Sequence, residues 1–86
     1  MDFKIFNLEN YEAEVCIHRG RSEEGGEIVN LTSFIFNEDE DEFILETVMS
    51  FPSAEMAQNF VRDYSVDSAT DWLIAMADEQ GINLQA

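Results

Sequence analysis

Ala13, Val15 and Ile17 alternate with Glu12, Glu14, Cys16 and His18, and this period of two is what a strand with one buried face requires. A shorter apolar run, Phe3-Lys4-Ile5-Phe6-Asn7-Leu8, precedes it. The polar connection around Asn10 is short, so the two segments are expected to pair as a hairpin. Gly20 to Gly26, with Ser22-Glu23-Glu24 between its glycines, has the composition of a flexible turn. Two longer strands follow, about Glu27–Phe36 and Phe43–Phe51, joined by Asn37-Glu38-Asp39-Glu40-Asp41-Glu42. After Pro52 the period changes. Ser53 is placed to cap a helix in which Met56, Ala57, Phe60, Val61 and Tyr64 recur at helical spacing. A second helix is expected to begin near Ser68, where Ser68-Ala69-Thr70-Asp71 resembles a capping box with Asp in place of Glu or Gln. Its buried stripe is Ala69, Trp72, Leu73 and Met76, and Gly81 followed by Ile82 is a C-terminal stop. Ile82-Asn83-Leu84 then forms a short strand or a packed tail. Strands followed by helices predict an α+β domain over residues 1–86: a four-stranded antiparallel meander with two C-terminal helices packed on one face.

The strands have apolar residues on both sides. The third offers Val29, Leu31 and Ile35 to one face and Ile28, Phe34 and Phe36 to the other; the fourth sets Phe43, Leu45, Met49 and Phe51 against Ile44 and Val48. Two helices cover one face only. The second face is therefore expected either to curl around the core, to lie under a loop, or to serve as an interface, a homodimer among them.

Charge changes the picture more than any motif does. Nineteen acidic side chains face four basic ones in 86 residues, a net charge of −15. With 45% hydrophobic and 12% aromatic residues the chain is nevertheless not of the disordered acidic kind. Phosphate contacts need clustered Lys and Arg, so direct binding to nucleic acid is disfavoured, as is an anionic membrane surface. No stretch approaches the roughly 20 apolar residues of a membrane span. Met1-Asp2-Phe3-Lys4 lacks the basic and apolar regions of a secretory signal. The single cysteine, Cys16, excludes an internal disulfide, and together these point to a cytoplasmic protein.

Candidate chemistry is sparse. Cys16 and the single histidine, His18, share a strand face with Glu14, but neighbours two apart on a strand stand roughly 6.5 Å from each other, too far for a nucleophile and its base. Structural zinc wants four Cys or His ligands. Aligned on Asn37, an EF-hand-like calcium frame meets Glu42 where glycine is needed and Val48 where a bidentate glutamate belongs. Gly20, Gly25 and Gly26 match no phosphate-binding loop. No cofactor and no catalysis are expected.

The acid itself is the signal. It gathers at Glu38, Asp39, Glu40, Asp41 and Glu42, again at Glu23, Glu24 and Glu27, and along the second helix at Asp67, Asp71 and Asp78, opposite Trp72 and Met76 and interrupted by Ile74. A folded protein of this mass exposes on the order of 5,000 Å², so an even spread gives about one charge per 340 Å². Duplex DNA carries about one per 100 Å², a density these groups approach only if concentrated on about a third of the surface. In size and charge the chain is similar to the small acidic inhibitors with which phages block restriction, CRISPR or repair enzymes, a likeness of composition that implies a DNA mimic seated on the basic groove of a nucleic-acid-binding protein. A general acidic interaction or regulatory module, such as an immunity protein or adaptor for another basic protein, fits the same composition. Solubility in high salt is a third reading.

Overall fold

The computed structural model describes residues 3–36, 42–82 and 84. Strand β1 (Phe3–Leu8) leads through a 3-10 turn (Glu9–Tyr11) into β2 (Ala13–Arg21); β3 (Glu27–Phe36), β4 (Glu42–Phe51), α1 (Ala54–Asp63) and α2 (Val66–Gln80) follow. The sheet order is β1-β2-β3-β4, every pair antiparallel, with both helices on one face. This is the α+β meander that the two periodicities predict.

Alternation sorts the strands. Leu8, Ala13, Val15, Ile17, Val29, Leu31, Ile35 and Leu45 are buried toward the helices, where they meet Ala57, Val61, Ala69, Leu73 and Ala77. Each buried Val, Leu or Ile contributes about 1.5–3 kcal/mol of transfer free energy. The alanines let the helix backbones approach the sheet closely. Ser33 occupies an inward position of β3 and is fully buried; its hydroxyl donates to the Glu14 carbonyl at 3.1 Å, so the polar atom is not left orphaned.

Local chemistry sets the ends of the helices, and two expectations need correction there and at the turn. α1 is capped by Ser53, whose side chain accepts from the Met56 N–H. α2 starts at Val66, not near Ser68: Ser65 is the cap, and it takes the Ser68 N–H at 3.2 Å, which places Ser68 inside the first turn. Two serines three apart are both plausible caps, and the earlier one prevails because it leaves its partner helical. Gly81 ends α2 at φ 72°, and the Ile82 N–H returns to the Ala77 carbonyl at 2.8 Å while Ile82 packs on the core. The stretch from Gly20 to Gly26 is not one flexible loop. β2 continues through Gly20 and Arg21, and the remaining five residues close tightly, with Gly25 at φ 84° and hydrogen bonds from Ser22 N to Gly26 O and from Gly25 N to Ser22 O.

Two side chains expected in the core lie at its margin. Met56 is exposed, because the narrow buried face of α1 is filled by Ala57 and Val61. Trp72 is half-buried, with its indole N–H donating to Thr47 Oγ1 at 3.2 Å. Ile82 and Leu84 are a packed tail rather than a strand.

Candidate protein-interaction site

The register fixes where the candidate carboxylates stand. Glu27 pairs with Phe51 at one end of the sheet, and Phe36 pairs with Glu42 at the other. Nine residues separate these pairs along each strand, about 30 Å. Glu23 and Glu24 occupy the turn at the first end and are exposed. Glu27 is different: its side chain is only 16% exposed and faces Arg21 Nε at 3.5 Å, so it is already committed within the protein. Glu38, Asp39, Glu40 and Asp41 lie outside the described residues, and Glu42 opens β4 at the far end. One standard interface buries about 800 Å² per partner, a disc roughly 30 Å across, so a single footprint of that size reaches both ends only when centred midway between them.

The helix brings its three aspartates together. Asp67, Asp71 and Asp78 are exposed and fall within about 40° of arc on α2, at a rise of about 6 Å and then about 10 Å. Ile74, also exposed, sits among them. The N-terminal turn of α2 adjoins the 3-10 turn: Val66 and Thr70 line a shallow groove with Asn7, Leu8, Glu9 and Tyr11. Exposed Glu9 thereby adjoins the first turns of α2, which carry exposed Asp67 and Asp71, at the corner of the molecule nearest the Phe36 and Glu42 strand ends, and exposed Glu12 closes the same hairpin connection. Sequence reasoning missed Glu9 and Glu12, because only the hairpin connection and the start of α2 together place them there. Glu12 stands at φ 50°, a left-handed conformation uncommon for a side chain of this kind, held by its N–H to the Glu9 carbonyl.

The basic residues are occupied locally. Lys4 donates to the Arg62 and Tyr64 carbonyls at the C-terminal end of α1, where a cation complements the helix dipole. Arg62 grips Asp63 through Nε to Oδ1 at 3.1 Å and Nη2 to Oδ2 at 3.4 Å; the guanidinium's hydrogen bond and charge hold the Asp63 carboxyl below the usual range. Arg19 donates to the Ala54 carbonyl. Four cations cannot offset nineteen acids, and over a surface of 5714 Å² the net −15 amounts to about one charge per 380 Å².

A second feature lies between the helices. Phe51, Met56, Phe60 and Tyr64, with Asn59, Asp63 and Ser68, line an open groove of about 490 Å³. Its aromatic wall is continuous, with Phe51–Phe60 and Phe60–Tyr64 centroids 5.3 and 5.5 Å apart. Burial, with the Asp71 charge adding, pushes the Tyr64 hydroxyl up to about 12. An aromatic wall beside carboxylates suits the stem and cation of a lysine or arginine.

Cys16 and His18 stand on the other face of the sheet. Burial and the neighbouring Glu14 push the Cys16 thiol up, away from the reactive thiolate. Among the described residues no three His, Cys, Asp or Glu side chains converge on a point where a metal ion could sit. Among the described residues no helix is long and apolar enough to cross a membrane. Comparison with protein-family models, curated proteins and solved structures gives no match.

Proposed function

We propose that the protein binds a basic surface of a nucleic-acid-binding protein and inhibits it as a DNA mimic, its carboxylates standing where phosphates would. The observation that carries this reading is the corner where the first turns of α2, with exposed Asp67 and Asp71, adjoin the 3-10 turn with exposed Glu9, in a chain whose four cations are already engaged in internal contacts. A basic groove approaching that corner meets one sign of charge with little to neutralise it, and electrostatic steering then supplies a fast on-rate.

One observation favours the second reading, a general acidic interaction or regulatory module. Three carboxylates over roughly 16 Å of α2 are sparser than one DNA strand, which carries about five phosphates in that length. A protein partner whose cations need not keep phosphate spacing is satisfied by such a row.

The deciding experiment is capture of binding proteins from nuclease-treated lysate by the tagged protein, followed by competition with duplex DNA for the identified target. Mimicry predicts a nucleic-acid-binding protein retained at low salt, released at high salt and displaced by DNA. The triple variant Asp67→Asn, Asp71→Asn, Asp78→Asn and, separately, replacement of Glu38 to Glu42 by Gln or Asn should each weaken it. A target indifferent to DNA but sensitive to these variants supports the second reading. A target indifferent to both, or none, removes the acid from function altogether.

A further inference from the structure

The helix-free face of the sheet carries apolar side chains that no other described element covers. Phe3 and Ile5 on β1 are 55% and 56% exposed, and Ile44 and Val48 on β4 are 62% and 52% exposed. Ile28 and Phe34 are partly exposed on the same face of β3. Register assembles them in rows: Phe3, His18, Asn30 and Val48 lie side by side, as do Asn7, Glu14, Phe34 and Ile44. The exposed apolar residues thus form an edge cluster on β1, Phe3 with Ile5, and another on β4, Ile44 and Val48 with Phe34 beside Ile44, with polar His18, Asn30 and Thr32 between them.

Charge and area select the occupant. Among the described side chains, Glu14 and Glu46 are the carboxylates on this face, a small share of a net −15, so a basic target drawn by charge is not drawn here. Three strands of nine or ten residues and the six-residue β1, about 4.8 Å apart, present roughly 530 Å² in projection, and the accessible area of so corrugated a face approaches the roughly 800 Å² per partner of a standard interface. We propose that a second copy of the chain covers it, sheet stacked on sheet about a two-fold axis running along the strands.

That axis sets β1 of one copy over β4 of the other. Phe3 then lies over Val48, while each Glu46 faces Ile5 and each Ile44 faces Asn7. An axis across the strands is disfavoured, because the row of Ile5, Cys16, Thr32 and Glu46 lies midway along the face and would bring the two Glu46 carboxylates together. The contact is apolar and joins two strongly anionic bodies, so salt tightens it, the opposite of its effect on binding to a basic target.

Sedimentation equilibrium from about 10 to 500 µM, in low and in moderate NaCl, tests the proposal. The expected result is a species of twice the 9.8 kDa chain mass that forms at lower concentration as salt rises. Ile44→Lys with Val48→Lys should remain at the chain mass with an unchanged far-UV spectrum, since both side chains are exposed in the single copy. Should that variant fail to fold, Phe3→Lys on β1 asks the same question. Phe3→Lys mixed with Val48→Glu should restore a one-to-one dimer that neither forms alone. A wild type that stays at the chain mass throughout, a dimer untouched by these variants, or a mixture that does not pair overturns the proposal.

Discussion

If the acid is the cost of recognition, folding must work against it, and ionic strength exposes how hard. With a Cα radius of gyration of 13.5 Å, the folded chain is equivalent to a sphere of about 17 Å radius. A charge of −15 on that sphere repels itself by roughly 17 kcal/mol when the screening length is about 30 Å, and by roughly 8 kcal/mol when it is about 8 Å. The unfolded chain, with a radius of gyration near 29 Å, falls only from roughly 6 to roughly 2 kcal/mol over the same change. Raising NaCl from about 0.01 to about 0.15 M therefore relieves the folded state by up to about 5 kcal/mol more than the unfolded one. Counterion binding and proton uptake by carboxylates make this a ceiling. At least about 1 kcal/mol should survive, raising the melting midpoint by about 4–8 °C. Far-UV circular dichroism melts at fixed protein concentration measure it directly, the concentration held because self-association also shifts midpoints. Self-energy goes as the square of charge, so Asp67→Asn, Asp71→Asn, Asp78→Asn, which takes −15 to −12, should reduce the salt response by about a third. A midpoint that stays level or falls with salt in the wild type would refute the reasoning.

Other expectations follow from single positions. Leu73 is fully buried and Ile74 is 42% exposed on the next residue of α2, so Leu73→Ala should cost about 3–5 kcal/mol by urea denaturation and Ile74→Ala under about 1 kcal/mol; equal losses would mean the helix is rotated from the face described. Tyr64 titrates at about 12 when folded and near 10 when unfolded, so the stability it gives below pH 10 is lost as pH rises toward 12. Because its ring is partly open to solvent the loss is only about 1 kcal/mol, and Tyr64→Phe should show a flatter alkaline profile than the wild type. Gly81→Ala, at φ 72°, should lower stability by about 1 kcal/mol; no change in melting midpoint would show that the left-handed stop is dispensable.

The sheet was legible because Val15 and Ile17, or Val29 and Leu31, alternate with polar neighbours, and a period of two has one structural meaning. The same logic set Ile44 and Val48 on the face away from the helices, while leaving open whether the strands curl, a loop covers it or a partner does. What escaped was decided between elements. Ser65 and Ser68 are equivalent on paper, and only the folded first turn shows which hydroxyl the Ser68 N–H reaches. Glu27 reads like its acidic neighbours, yet its inward position on β3 commits it to Arg21. Glu12 reads as a strand position and Glu9 as no signal at all, and only the docking of α2 beside the 3-10 turn sets Glu9 against Val66 and Thr70. Asp67, Asp71 and Asp78 were readable, since helical spacing alone puts them in line.

An open meander has two raw margins. Among the described residues β1 and β4 each pair with a strand on one side only, the condition under which sheets add strands from neighbouring molecules. At neutral pH every such encounter brings two strongly anionic particles together, and the repulsion acts as a colloidal guard that the margins themselves lack. Acidification dismantles the guard before it need dismantle the fold: near the isoelectric point of about 4.1 the net charge vanishes while the margins remain. The protein should therefore cloud and sediment close to that pH, and the turbidity should clear when the carboxylates are ionised again.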